Sequence, residues 1–338
     1  MSNDISSYGK IVAVGLLSGG LDSALAAKLL IDQGIEVHAI NIAMAWGCGR
    51  PSRVKAIADH LGMPFKSIPL DDSYLKILRN PKYGFGSAHN PCVDCHIYMV
   101  QKAAEYMREI GAAFVFTGEV VGQRPMSQRR RCLDWVEDGA GIPGRLLRPL
   151  SAGLLPLTIP EQQGLVDRSR LLSLEGRGRR VQLDMAQDLG LTGFSTPGGG
   201  CLLTEKVFGA RVKDVLARGC DSINETAILG SGRYFRLNDD AFALVGRDQP
   251  ENEALLHYSL DTDYIFRTYE FPSPTVVLRG KNISAEQLSF AAGLLQFFSK
   301  QRDGLPRSVP CWRKAFPEGI SQVLAVMPLE SALAPLWM

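Results

Sequence analysis

The sequence predicts an α/β protein: a parallel, doubly wound sheet covered by helices on both faces, followed by a smaller C-terminal α+β domain. Three observations carry this expectation. Between residues 10 and 117, short apolar runs alternate with segments of helical periodicity. The first apolar run ends in a glycine-rich turn that leads straight into a helical pattern. Beyond Cys220 the texture changes to short β-rich runs separated by turn residues.

Taken in order, Lys10 to Leu17 is a strand pattern, and Ala24 to Gln33 has helical spacing that stops at Gly34. A strand is expected over Glu36 to Ile42, a helix over Ser52 to Leu61 and a strand over Phe65 to Leu70. Ile97 to Ile110 reads as a long amphipathic helix closed by Gly111, and Ala113 to Thr117 as the next strand. Because buried parallel strands need crossover helices, this alternation implies helices on both faces of the sheet. Pro143 to Gln163, rich in proline and glycine, reads as connecting segments; helices follow at Arg180 to Leu189 and Val207 to Leu216. Tyr234 to Leu237, Phe242 to Val245 and Thr275 to Leu278 read as strands, and Ala285 to Lys300 as a helix. The expected domains are residues 1–219 and 220–338.

A chain of 338 residues fits two domains, and 46% hydrophobic residues are ample for their cores. No apolar run approaches the ~20 residues of a membrane span. The polar start Met1-Ser2-Asn3-Asp4 lacks the order of a signal peptide, so a cytoplasmic protein without membrane association is expected. A net charge of +2 gives no global electrostatic case for nucleic acid, so any such case rests on local patches. The seven cysteines are an odd number in a large chain, which argues against a disulfide framework and for metal or redox chemistry at some of them.

Ser18-Gly19-Gly20-Leu21-Asp22-Ser23 sits between a strand and a helix, where glycines let backbone N–H groups curl around an anion and the helix dipole adds positive potential. Ser18 and Ser23 can donate to phosphate, and Asp22 can hold Mg²⁺. No Gly-Lys-Ser/Thr is present, so this is not a Walker A loop. The competing interpretation is an ordinary strand-to-helix turn with capping serines.

Cys92 and Cys95 form a Cys-x-x-Cys in Asn90-Pro91-Cys92-Val93-Asp94-Cys95-His96, and Cys201 follows Gly198-Gly199-Gly200. This pattern fits a redox dithiol, half a zinc site or two cluster ligands. His96 would favour zinc as a fourth ligand, but as the neighbour of Cys95 it is expected to face away. Cys48, Cys132, Cys220 and Cys311 lack partners at metal spacing and are expected to be small buried hydrophobes. Two basic clusters, Arg129-Arg130-Arg131 and Arg177-Gly178-Arg179-Arg180, suit RNA phosphates; the first can serve ATP phosphates instead, and either alone can be a solvated face.

The Ser-Gly-Gly-Leu-Asp-Ser string resembles the PP-loop, or N-type, ATP pyrophosphatases, whose fold is adenine nucleotide alpha hydrolase-like. The resemblance implies cleavage between the α- and β-phosphates, with adenylation of an acceptor oxygen. It also implies nucleotide contacts at Asn41 and Met44, beyond the second strand, and at Thr117 and Gly118, with Ser18, Gly19, Gly20, Asp22 and Ser23 around the phosphates. The Asn-Pro-Cys segment resembles the MnmA-type tRNA 2-thiouridylases. The extra Cys95 departs from their two-cysteine pattern and is similar to the TtuA and NcsA thiolases, where three cysteines hold a [4Fe–4S] cluster. By that resemblance Cys92, Cys95 and Cys201 are cluster ligands, and Asp22, Cys92 and Cys201 are catalytic; a persulfide mechanism on the same cysteines is the alternative. Residues 230–282, with Val245-Gly246-Arg247 and Asn252, resemble the NFACT-R module of RNA-binding proteins. Arg129, Arg130, Arg131, Arg179 and Arg247 are therefore the expected RNA contacts.

The expectation is an ATP-dependent tRNA uridine sulfurtransferase using ATP, Mg²⁺ and a [4Fe–4S] cluster. Its partners would be tRNA and a sulfur donor, either inorganic sulfide or a cysteine desulfurase relay, with a homodimer compatible with the sequence. The rivals are PP-loop sulfur transfer or ligation on a small molecule or protein, and a nucleotide-regulated RNA-binding protein.

Overall fold

The structure is a computed structural model that describes residues 10–44, 46, 51–190, 201–300, 305 and 307–325. Cys48 and the Gly198-Gly199-Gly200 run lie outside the described residues. The chain divides into two compact units, Met1–Cys201 and Leu202–Met338.

The first unit is built on β1 (Val12–Leu16), α1 (Leu21–Ile31), β2 (Glu36–Ala43), α2 (Pro51–His60), β3 (Phe65–Pro69), α3 (Tyr74–Arg79), α4 (Cys92–Glu109), β4 (Phe114–Thr117), α5 (Arg130–Ala140), β5 (Leu146–Leu147), α6 (Ile159–Gln162) and α7 (Arg180–Asp188). The five strands form one sheet in the order β3-β2-β1-β4-β5, and every pairing is parallel. β1 is central because it is apolar on both faces, with Ala13 and Val14 fully buried. Two cores result, one on each side. Leu21, Leu25, Leu30, Phe114 and Phe116 belong to the first, and Val14, Ile40, Val100, Val115 and Val136 to the second.

Helix α4 begins at Cys92, one turn and more before the expected Ile97. Pro91 precedes it, and the carboxylate of Asp94 accepts backbone N–H groups from Lys82 and Tyr83 at 2.9 and 3.0 Å, which anchors the first turn. The cysteine pair therefore sits on a helix rather than on a short turn. Helix α5 begins at Arg130 with Arg129 as N-cap, so the basic run is the opening of a helix.

The second unit contains α8 (Lys206–Ala217), α9 (Asn224–Ala227), β6 (Arg233–Arg236), β7 (Ala241–Val245), α10 (Gln249–His257), β8 (Tyr264–Phe266), β9 (Val276–Gly280), α11 (Ala285–Phe297), β10 (Ser308–Arg313) and β11 (Phe316–Leu324). Its sheet is antiparallel in the order β11-β10-β8-β9-β7-β6. Helix α8, expected at the end of the first domain, belongs to this unit, which begins at Leu202 instead of residue 220. The reason is in its side chains: the Tyr234 hydroxyl donates to Asp214, and Arg211 donates to the carbonyls of Leu229 and Gly232. Among the described residues, no helix is long and apolar enough to cross a membrane.

Candidate functional site

The loop between β1 and α1 is held from below. Asn41, only 2% exposed, donates its side-chain amide to the Leu17 carbonyl at 2.9 Å, and Leu17 N–H donates to Ile40. Asn41 thus braces the start of the loop. Met44, the other residue expected at the adenine, is buried just beyond the end of β2. Gly19 has a φ of +77°, a conformation that glycine adopts without strain. The Ser23 hydroxyl donates to Gly20 O at 2.9 Å, and Gly20 N–H donates to the Ser18 hydroxyl at 3.4 Å, so both serines shape the loop. Asp22 accepts from the Gln123 amide at 3.1 Å through Oδ2, whereas its Oδ1 is buried without a partner among the described residues. An orphaned carboxylate oxygen beside a phosphate loop fits Mg²⁺, which takes one or two protein carboxylates and the phosphates of its nucleotide.

The end of β4 packs directly against this loop. A Cβ placed on Gly118 would lie 2.5 Å from Asp22 C and Ser23 N. The next residue, Glu119, is 6% exposed, and its carboxylate is fully engaged. Oε2 accepts from the Thr117 hydroxyl at 3.0 Å and from Arg148 Nε at 3.1 Å, while Oε1 meets His96 Nδ1 at 2.8 Å. Arg148 is fixed in turn by Glu137 and by the Leu133 carbonyl. Opposed by burial, the hydrogen bond from His96 and the charge of Arg148 hold Glu119 down to about 2.

His96 lies one turn beyond Cys92 on α4, and side chains four apart on a helix share a face. It stands near enough to Cys92 for each to shift the other's titration, so it turns toward that cysteine, contrary to the expectation that it faces away. Against burial, Cys92 and Glu119 raise His96 to about 10. Burial works against the Cys92 thiolate as well, but the hydrogen bond and charge of His96, helped by Arg124, bring Cys92 down to about 7. Cys95, only 9% exposed, goes the other way: burial pushes its thiol up to about 12, and the charges of Cys201 and Cys92 push in the same direction. The three cysteines are therefore within electrostatic reach of one another.

Among the described residues, no group of three or more His, Cys, Asp or Glu side chains is arranged to hold a metal ion. This concerns a single ion. In a cluster each thiolate binds a different iron, so its ligands sit farther apart. Cys92 and Cys201 act electrostatically on Cys95, as does Asp94, and thiolates are the donors such a group takes. Cys220 and Cys311 are buried in the second unit, and Cys132 is buried on α5, within electrostatic reach of Cys92.

The basic residues divide. Arg129, Arg130 and Arg131 are exposed; Arg130 donates to the Leu154 carbonyl, and Arg131 lies 4.6 Å over the Trp135 ring. Arg179 faces Asp22, 3.7 Å away. In the second unit, Arg247 pairs with Glu251, and Asn252 is a brace: its Oδ1 accepts Thr275 N–H at 2.8 Å beneath Gly246, where a Cβ would approach it at 2.1 Å. Arg148 and Gln123 were not read from the sequence as members of the site; His96 was weighed only as a zinc ligand, and Glu119 had the signal of its place after Thr117 and Gly118.

Residues 10–134 match the family model described as the tRNA methyl transferase HUP domain, and residues 232–337 match the one described as the NFACT protein RNA binding domain. The bifunctional protein NifU/MnmA of Rubrobacter xylanophilus is 32% identical over 168 residues, covering 45% of this chain and 33% of that protein. The tRNA-specific 2-thiouridylase MnmA of Pelobacter propionicus is 32% identical over 111 residues, covering 30% of this chain and 31% of that one. The chain thus spans about a third of the length of these curated relatives. A solved 4-thiouridine synthetase–RNA complex with bound ATP is 16% identical with a TM-score of 0.39, covering 65% of this chain and 52% of that one. Over residues 10–134 the chain is similar to the tRNA methyl transferase HUP domain and to parts of MnmA thiouridylases, and over residues 232–337 it matches the NFACT RNA-binding domain.

Proposed function

We propose that this protein is an ATP-dependent tRNA sulfurtransferase that replaces a uridine carbonyl oxygen with sulfur, releasing AMP and pyrophosphate. One observation carries the reading. The backbone of Gly118 is packed against Asp22 and Ser23 of the phosphate loop, and the adjoining Glu119 is hydrogen-bonded to His96, whose charge acts on Cys92. In this reading the activating site and the sulfur site meet across two adjacent residues.

The chemistry requires such a junction. A carbonyl oxygen is a poor leaving group, so it first attacks the α-phosphorus of ATP. The bond from that phosphorus to the bridging oxygen breaks, and pyrophosphate departs with the electron pair. Sulfur then displaces AMP from the activated carbon. In this reading Ser18, Gly19, Gly20 and Ser23 surround the phosphates, Asp22 holds Mg²⁺, and Asn41, Met44, Thr117 and Gly118 border the nucleotide. Cys92, Cys95 and Cys201 would hold a [4Fe–4S] cluster, which supplies the sulfur in its bound form. Arg129–Arg131 and the second unit bind the tRNA. Inorganic sulfide or a desulfurase relay is the donor, and the reaction is cytoplasmic, in a monomer or homodimer.

The test is an anaerobic assay with tRNA, Mg-ATP and sulfide, reading nucleotides, pyrophosphate and thiolated nucleosides. Release of pyrophosphate and AMP with one thiouridine per turnover is expected, with about four irons per chain lost on replacing Cys92, Cys95 or Cys201. Asp22→Ala should lower turnover at least ~10²-fold, because it removes a metal ligand from a transition state rich in negative charge. ADP and phosphate as products would overturn the reading. Pyrophosphate release indifferent to tRNA would redirect it to a small-molecule or protein acceptor.

A further inference from the structure

Within Arg177-Gly178-Arg179-Arg180, the three arginines have different surroundings. Arg177 is exposed, and the Arg180 side chain is 95% exposed. The Arg179 side chain is 17% exposed and turned inward. It caps α7, which packs on α1, the helix that follows the phosphate loop. Its Nη2 lies 3.7 Å from Asp22 Oδ2, longer than a hydrogen bond, and its Nε is buried without a partner among the described residues. A buried guanidinium donor with no acceptor is costly, and an anion at the loop would satisfy it. Across the loop, the Arg53 side chain lies over Gly19, with its Cδ 3.3 Å from where a Cβ would stand. Two arginines, Arg53 at Gly19 and Arg179 at Asp22, thus border a loop that lacks the lysine of a Walker motif.

We propose that Arg179, with Arg53 opposite, is a catalytic residue for the activation step, binding the β- and γ-phosphates of the nucleoside triphosphate and neutralising the departing pyrophosphate. This rests on the reading that the loop binds ATP and cleaves between its α- and β-phosphates. As the bridging bond breaks, the electron pair stays on pyrophosphate. The guanidinium forks match its oxygens, and no proton changes hands at arginine. Gln123 donates to Asp22 at this corner; on binding nucleotide, Arg179 exchanges its long contact to Asp22 for phosphate. It is therefore assigned to the nucleotide and not to RNA, unlike its exposed neighbours.

The test compares Arg179→Ala, Arg179→Lys, Arg53→Ala and the control Arg180→Ala in the full chain, with inorganic pyrophosphate, ATP and AMP as probes in calorimetry. Pyrophosphate–ATP exchange and the salt dependence of tRNA binding are measured alongside. Arg179→Ala should weaken pyrophosphate and ATP roughly 10–100-fold, leave AMP within about 2-fold and leave the tRNA salt slope unchanged, whereas Arg180→Ala leaves all nucleotide affinities unchanged. Arg179→Lys should recover part of the affinity for pyrophosphate, and Arg53→Ala should weaken it in the same way as Arg179→Ala. Equal weakening of AMP, ATP and pyrophosphate would mean that Arg179 only shapes the loop, and a lower tRNA slope with unchanged pyrophosphate affinity would return it to RNA; either overturns the proposal. A wild-type protein that binds ATP without exchanging pyrophosphate would instead sink the activation reading beneath it.

Discussion

At the scale of single residues, the two cysteines of Cys-x-x-Cys are chemically unlike. Cys92 is drawn toward the thiolate by His96, whereas Cys95 is kept as a thiol by burial. In iron-free protein, alkylation by iodoacetamide mapped by mass spectrometry should therefore reach Cys92 with a midpoint near pH 7, and Cys95 hardly at all below pH 9. His96→Ala should move the Cys92 midpoint up toward the ~8.5 of an ordinary cysteine. Equal reaction of both cysteines would contradict the assigned environments. The same network makes a stability prediction. Glu119 is depressed from 4.5 to about 2, so its contribution is present above pH 4.5 and is lost as pH falls toward 2. His96 is raised from 6.5 to about 10, so its contribution is complete below pH 6.5 and is lost as pH rises through 10. Denaturant midpoints of wild type and Glu119→Gln should differ most between pH 4.5 and 6.5, converge as pH falls toward 2, and narrow as pH rises through 10, where the pairing with Arg148 alone remains. None of this could be read from the sequence, because Glu119 and Arg148 are 29 positions apart and meet only once β4 and β5 are paired.

At the scale of elements, the strand-to-helix units were legible because each parallel strand is buried on both faces and so writes a continuous apolar run. The observed β1, β2, β3 and β4 fall within one residue of the expected strands at nearly every end. Helix α4 was legible only from Ile97 because Asn90-Pro91-Cys92 reads as a turn, and the residue that holds its first turn, Asp94, finds its partners in Lys82 and Tyr83. Helix α5 was missed because three consecutive arginines dominate its start, hiding the buried stripe of Leu133, Val136 and Ala140. The contact of β4 with the phosphate loop gives the sharpest test at this scale. Gly118→Ala places a methyl group where backbone atoms of Asp22 and Ser23 already stand, and backbone cannot rotate aside as a side chain can. The variant should lose about 1–3 kcal/mol of stability, and its affinity for ATP should fall further than that of a stability-matched core variant such as Val136→Ala. Calorimetry with Mg-ATP would show it, and an unchanged affinity would mean that the loop relaxes without consequence for the nucleotide.

At the scale of the whole molecule, the change of texture near Cys220 marked the second unit, but its first helix was assigned to the wrong side. Only the tertiary partners of Asp214 and Arg211 reveal where α8 belongs. Strands β10 and β11 were illegible because Pro310, Pro317 and Gly319 interrupt their alternation, and most of β11 is exposed. With a net charge of only +2, affinity for tRNA must come from particular arginines whose charge is not already spent. Arg130 meets a carbonyl and Arg131 an indole face, both neutral, which leaves their charge available, as does the exposed position of Arg129. Arg247 is different: Glu251 neutralises it through a paired hydrogen bond. Replacing Arg129, Arg130 and Arg131 together by alanine should therefore lower the log–log salt slope of tRNA binding by roughly 2–3 units, one per lost phosphate contact. Arg247→Ala should change that slope by less than about one unit. A filter-binding or fluorescence titration over several salt concentrations measures both, and a larger change for Arg247→Ala would mean that Glu251 releases it to meet the RNA, moving the main phosphate contact to the second unit.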